Sequence, residues 1–201
     1  MSSGSGTVRI YNANSAGGDI YVRTSTALTA GTFIVGNGGS TAGNMQIQST
    51  PSLYNLTIDA GSTTPTLAAN LTVNGTLALT SGNLTAGTGS NQLTLGGNIT
   101  SAGGGDIIGD VVRSGSFSTG TDYAFNNPNT LINFTSVTNG GSPSITVNLS
   151  KSAPSQLTTA IQRVYAITAN NVSGINATLR LRYASGEVGS MTESNLKLWR
   201  F

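Results

Sequence analysis

A short phrase keeps returning between residues 53 and 100: Asn55-Leu-Thr-Ile, Asn70-Leu-Thr-Val, Asn83-Leu-Thr-Ala, Gln92-Leu-Thr-Leu and Asn98-Ile-Thr. A repeat this short, interrupted every few residues by Gly, Asn or Ser, leaves no span for a helix and predicts very short strands. Read as alternation, Leu71, Val73, Leu77 and Leu79 point one way and Thr72, Asn74, Thr76 and Thr80 the other. Gly75 and Gly82 permit the corners between them. Three such strands fit between Asn70 and Gln92. That is one triangular coil of a parallel solenoid, a repeat class with periods upward of about 20 residues.

The composition follows from that architecture. Only 8% of residues are charged, and Gly, Thr, Ser and Asn dominate, so the surface is built of hydroxyls and amides. Inward Leu, Ile and Val fill a narrow core, each contributing about 1.5–3 kcal/mol when fully buried, while outward Thr suits strand geometry and Gly and Asn turn the corners. The 37% hydrophobic content, regularly placed, separates the chain from disordered polar tracts.

Earlier segments read as the first coils: Val8–Tyr11, Asp19–Val22, Gly31–Val35 and Asn44–Gln48 have strand length and Gly-rich separators. The pattern changes near Gly103-Gly-Gly-Asp106, after which aromatics and longer strands appear, as in Asp122–Phe125 and Leu131–Val137. Ile145, Val147 and Leu149, and later Ala177, Leu179, Leu181 and Tyr183, alternate with polar residues. Such strands have one buried and one wet face. Pro154–Arg163, with Leu157 and Ile161 at helical spacing, reads as a turn of helix or a crossover loop. The expectation is all-β: a right-handed parallel β-solenoid over residues 1–108, followed by a small β-sandwich over 109–201.

Leu53–Ile58, Leu71–Leu79 and Gly82–Thr85 resemble the β-helix repeats of large bacterial cell-surface and secreted adhesin-like proteins. Arg163–Thr168, Ala177–Tyr183 and Glu193–Trp199 resemble the β-sandwich segment that often follows such repeats. The resemblance implies an extracellular scaffold or adhesion role in a long modular chain, and it carries over no catalytic residue. Met1-Ser-Ser-Gly-Ser-Gly reads as a linker-like start, and Asn195–Phe201 ends in a strand-like pattern, as expected of a piece of a longer protein.

The absence of Cys and His removes disulfides, thiolate and imidazole chemistry and the usual zinc, copper and haem sites. No cofactor is expected. The seven acids form no close cluster of the kind a solenoid lyase or hydrolase needs. Asp106 and Asp110 lie near each other in a Gly-rich stretch that faintly suggests a calcium turn, although two such carboxylates are more often turn formers at a junction. After residue 150 six cations face two acids, against three and five before it, so the second half is the basic one.

Arg180, Arg182 and Trp199 are the candidate ligand contacts: a basic face for acidic glycans and a ring for sugar stacking. Each has a plainer use, the arginines in protecting a sheet edge and the tryptophan in a core. No basic run with interleaved aromatics points to nucleic acid, and no apolar run approaches a membrane span. Asn-x-Thr/Ser phrases belong to the repeat alphabet rather than to glycan acceptors, and the Thr positions form no regular ladder for ordering water. The expected function is a non-catalytic extracellular structural or adhesive module, with subunits able to join end to end or to bind surface glycans. The alternative is a carbohydrate-binding or carbohydrate-active solenoid.

Overall fold

The computed structural model describes residues 5–11, 19–23, 26–39, 45–87, 91–102, 104–154 and 160–198. The chain winds as a β-solenoid with three faces. The first face stacks β1 (Thr7–Ile10), β3 (Thr32–Gly36), β5 (Asn55–Asp59), β8 (Leu77–Ser81) and β11 (Ile99–Ser101), every neighbour parallel. On the second face run β2 (Asp19–Val22), β4 (Gln46–Ser49), β6 (Thr66–Leu67), β9 (Leu84–Thr85) and the start of β12 (Ile107–Ser114). The third face begins with a bridge from Leu53 to Val73 and continues through β7 (Leu71–Val73), β10 (Gln92–Leu95) and the rest of β12.

The register explains the recurring phrase. Leu56, Leu77 and Ile99 stack in line on the first face, as do Leu71, Leu93 and Val111 on the third. All six are buried. The Asn of the phrase sits at a corner and binds the next coil. Asn55 Oδ1 accepts the Thr76 N–H at 2.8 Å, Asn70 Oδ1 the Gln92 N–H at 3.0 Å, and Asn83 Oδ1 the Asp106 N–H at 2.9 Å. Thus in Asn-Leu-Thr the first residue staples coils, the second fills the core and the third faces out. The corners are tight enough to exclude side chains: a Cβ on Gly97 would lie 1.9 Å from the Gly75 carbonyl oxygen.

β12 ends the winding. Its first residues pair with β9 and, after a bend at Gly109 (φ 98°), its remainder pairs with β10. The strand therefore runs through residue 108, where the composition changes. What changes there is the direction of pairing. β13 (Asp122–Ala124), β14 (Leu131–Ser150) and β15 (Val164–Arg180) continue the third face as an antiparallel extension, with β14 between β12 and β15.

A β-sandwich over 109–201 was expected; among the described residues β13, β14 and β15 join the solenoid's own sheet through β12 and form no separate sheet. The alternation that suggested one is real, but the apolar face of β14 is covered by the solenoid core, as buried Ile145, Val147 and Leu149 show. Strand pairing also stops earlier than the alternation, since β15 ends at Arg180 and Glu193–Asn195 is a 3-10 turn. Leu198, expected in a final strand, is 79% exposed, so its alternation has no face to bury. The Leu157 helical spacing lies outside the described residues.

Aromatics close the core at this end. Phe117, Tyr123 and Phe134 form a cluster with ring centres 5.1 to 5.8 Å apart, and Phe125 is fully buried. The loop after Phe125 seals the second face, where the Asn126 carbonyl accepts the Ile107 N–H and its amide donates to the Ile107 and Gly109 carbonyls. Capping satisfies strand edges that a bare coil would leave open.

Candidate functional site

The densest polar chemistry among the described residues sits where the last coil meets the extension. Asp106, at the entry to β12, is buried, with its side chain 1% exposed. Its Oδ2 accepts from Arg163 Nη2 at 2.6 Å and Lys151 Nζ at 3.0 Å, and its Oδ1 from Arg182 Nη1 at 2.7 Å. Asn127 Nδ2 donates to the same Oδ1 at 3.3 Å. Arg163 turns its Nε to Glu187, which also lies 3.7 Å from Lys151 and accepts the Ala184 N–H. Tyr165 completes the knot: its hydroxyl accepts from Arg163 and donates to the Arg182 carbonyl at 2.6 Å.

Two acids and three cations therefore neutralise most of one another in a site that folding assembles from residues 106, 151, 163, 182 and 187. Burial raises the Asp106 pKa, but the bonds and charges of Arg163 and Lys151 outweigh it and hold the carboxyl below its ordinary value. Glu187 is lowered in the same way, burial opposing and Arg163 prevailing. For Arg163, burial favours the neutral form, yet Glu187 and Asp106 push its pKa further up. All these shifts favour fixed charges. A proton-transfer site would need the opposite, groups poised near neutrality. Three cations around Asp106 also oppose a calcium ion there, and Asp110 accepts a 2.6 Å bond from Asn148 instead.

Of the candidate ligand contacts, Arg180 is exposed at the end of β15, where it pairs in register with Leu131. Arg182 lies beyond that strand and is spent on Asp106. The structure thus separates two residues that the alternation puts on one wet face. Trp199 lies outside the described residues. The Asp106 cluster was not apparent from sequence because its members are scattered. The excess of cations after residue 150 was its one visible sign.

A second feature lies on β15. Ile132, Phe134 and Ile145 of β14 floor an apolar groove, walled by Ile167, Ala169, Ile175, Ala177 and Leu179 of β15. Ile167, Ile175 and Leu179 are 40–46% exposed. Residues from both halves of β15 line this one groove, and Tyr165, Val172 and Ala177 of the same strand pack against the core. Among the described residues no helix is long and apolar enough to cross a membrane.

Comparison with protein-family models, with curated proteins and with solved structures gave no match. The β-solenoid therefore rests on the structure itself.

Proposed function

We propose that the chain is a non-catalytic scaffold module of a bacterial cell-surface or secreted adhesin-like protein, working outside the cell as a stiff rod with a terminal sheet. The observation that carries this reading is the Asp106 cluster, which ties the last coil to residues from both ends of the extension. Rod and extension are thereby bound as one piece, as a spacer must be to hold a binding surface at a distance. The cluster's charges are committed to one another, which supports a mechanical role over a chemical one. The sequence resemblance of Leu53–Ile58 and Leu71–Leu79 to adhesin repeats supports the same setting.

The test is prolonged incubation with acidic and neutral polysaccharides, following viscosity and new reducing ends. Unchanged polymers are expected, and a falling viscosity overturns the reading in favour of a carbohydrate-active enzyme. A carbohydrate-binding reading draws on Tyr21 and Tyr54, residues 50% and 39% exposed on the early coils. Binding on a glycan array that is lost in Tyr21→Ala or Tyr54→Ala would favour it.

A further inference from the structure

We propose that residues 175–198 are a hinged flap forming one wall of the apolar groove, and that Arg182 and Glu187 latch it to Asp106 of the last coil and to Arg163 and Tyr165 beside the opposite wall. This goes beyond the scaffold reading, because it gives the Asp106 cluster a moving part to control.

The hinge lies inside β15. Its ladder with β14 shifts register at Phe134/Ser136, Ser136/Thr138 and Asn139/Ser144, and Asn171 and Gly174 take positive φ angles of 52° and 58°. The strand is therefore two short strands joined by a bend, the kind of place where a change of φ and ψ is absorbed. The first half, up to Asn170, pairs with the part of β14 that lies against β12. It carries Ile167 and Ala169 of the groove, and the second half carries Ile175, Ala177 and Leu179.

The second half and the turns after it are held lightly. None of residues 175–198 is buried, and among them Ala177 is the one that packs against the core. Five ladder pairs join the flap to β14, from Ser136 with Asn176 to Leu131 with Arg180. Two exposed hydroxyls add to these, Thr135 donating to the Asn176 carbonyl at 3.2 Å and Ser136 to the Gly174 carbonyl at 2.9 Å. Beyond Arg180 the backbone–backbone hydrogen bonds among the described residues all close within 184–196. Few buried apolar contacts and short-range backbone bonds mark a segment that opens before the whole molecule unfolds.

The latch crosses the end of the groove. Tyr165 lies at the start of the first half, and its hydroxyl donates to the carbonyl of Arg182, two residues past the second half, at 2.6 Å. Arg182 Nη1 donates to Asp106, and Glu187 accepts from Arg163, which also reaches Asp106. One buried carboxylate of the rod thus fastens both the residue that precedes the first half and the residue that follows the second. Past Glu187 the hydrogen bonds and ion pairs among the described residues stay inside the flap, as that from Tyr183 to Glu193 does. With the latch released, the wall of Ile175, Ala177 and Leu179 swings out from the bend. Buried Ile132 and Phe134 then meet water along the edge where Leu179 and Ala177 had paired with them.

The experiment is amide hydrogen exchange at neutral pH on Arg182→Gln/Glu187→Gln, beside the native chain and Arg180→Gln. Losing charged hydrogen bonds from a local opening is expected to speed exchange by about tenfold or more. The acceleration should be confined to residues 175–198, with β7, β10 and β12 unchanged. Arg180→Gln removes a charge from the same flap outside the latch and should leave exchange as in the native chain. A dye that fluoresces on apolar surfaces should brighten with the latch variant and not with the native chain. Unchanged exchange in 175–198 overturns the latch, and equal acceleration in the rod overturns the flap as a separate unit. Arg180→Gln matching the latch variant, or a latch variant that leaves the dye dark, overturns the proposal as well. None of these results bears on the scaffold reading, which the polysaccharide incubation tests by itself.

Discussion

Asp106 Oδ2 accepts a 2.6 Å hydrogen bond from Arg163 Nη2 across 57 residues of sequence, with both side chains at most 3% exposed. Neither charge has an alternative in water. Removing one partner from such a pair strands the other, which typically costs about 3–5 kcal/mol. Arg163→Met is expected to lower stability by that amount in urea unfolding, because Asp106 would keep Lys151, Arg182 and the Asn127 amide but lose its most buried cation, and Glu187 would lose Arg163 as well. Replacing both, as Asp106→Leu/Arg163→Met, is expected to cost less than the two single changes added together, since a double-mutant cycle recovers their coupling.

The same cluster predicts acid lability. Asp106 and Glu187 both have folded pKa values below their ordinary ones, while the unfolded chain titrates near the usual carboxylate values of about 4. Stability from a lowered carboxylate is complete above the unfolded pKa and is lost as pH falls through the folded one. The unfolding midpoint should therefore hold from neutrality to about pH 5 and fall steeply below about pH 4. In Asp106→Asn/Glu187→Gln the midpoint should start lower and fall less over the same window. An unchanged acid limb in that variant would show that other carboxylates control it.

How much of this was legible depends on the range of the interaction. The coils were legible because Leu71, Val73, Leu77 and Leu79 carry their inward direction in local alternation, and the structure buries all four. The corner Asn residues were visible as a repeat, but their use was not, because each bond crosses a whole coil to a partner such as Thr76 or Gln92. The fate of the second half was hidden for a different reason. Alternation states that one face is apolar and does not state what covers it: for Ile145 the answer is the solenoid core, whereas Ile167 lines a groove and stays 40% exposed. Asp106 and Arg182 were each read alone, as turn former and edge guard, because no local pattern links positions 76 residues apart.

The staples should differ in worth with their surroundings. Asn83→Ala leaves the Asp106 N–H, belonging to a buried residue, without its acceptor. Leaving a buried donor unsatisfied costs about 1–3 kcal/mol. Asn70→Ala frees the Gln92 N–H at an exposed position, where water substitutes and the loss should be nearer about 0.5 kcal/mol. Chemical denaturation of the two variants side by side checks the order. Equal losses would mean that the corner amides act through turn geometry rather than through the coil-to-coil bond.

The stacked corner glycines set the last prediction. At Gly97 an added Cβ would lie 1.9 Å from the Gly75 carbonyl oxygen and 2.6 Å from its carbon. Both are backbone atoms of the coil below, so no side chain can swing aside. Overpacking usually costs about 1–3 kcal/mol, and here relief requires separating two coils whose strands β8 and β11 share a ladder. Gly97→Ala is expected at or above the upper end of that range. Gly186→Ala, with nothing within 4 Å of its Cβ, should stay within about 0.5 kcal/mol of the native chain. Amide hydrogen exchange separates strain from general instability: protection should fall first in β8 and β11 in the Gly97 variant, while β14 and β15 keep theirs. A uniform loss across all strands would mean that the coils and the extension unfold as one cooperative unit and cannot absorb the strain locally.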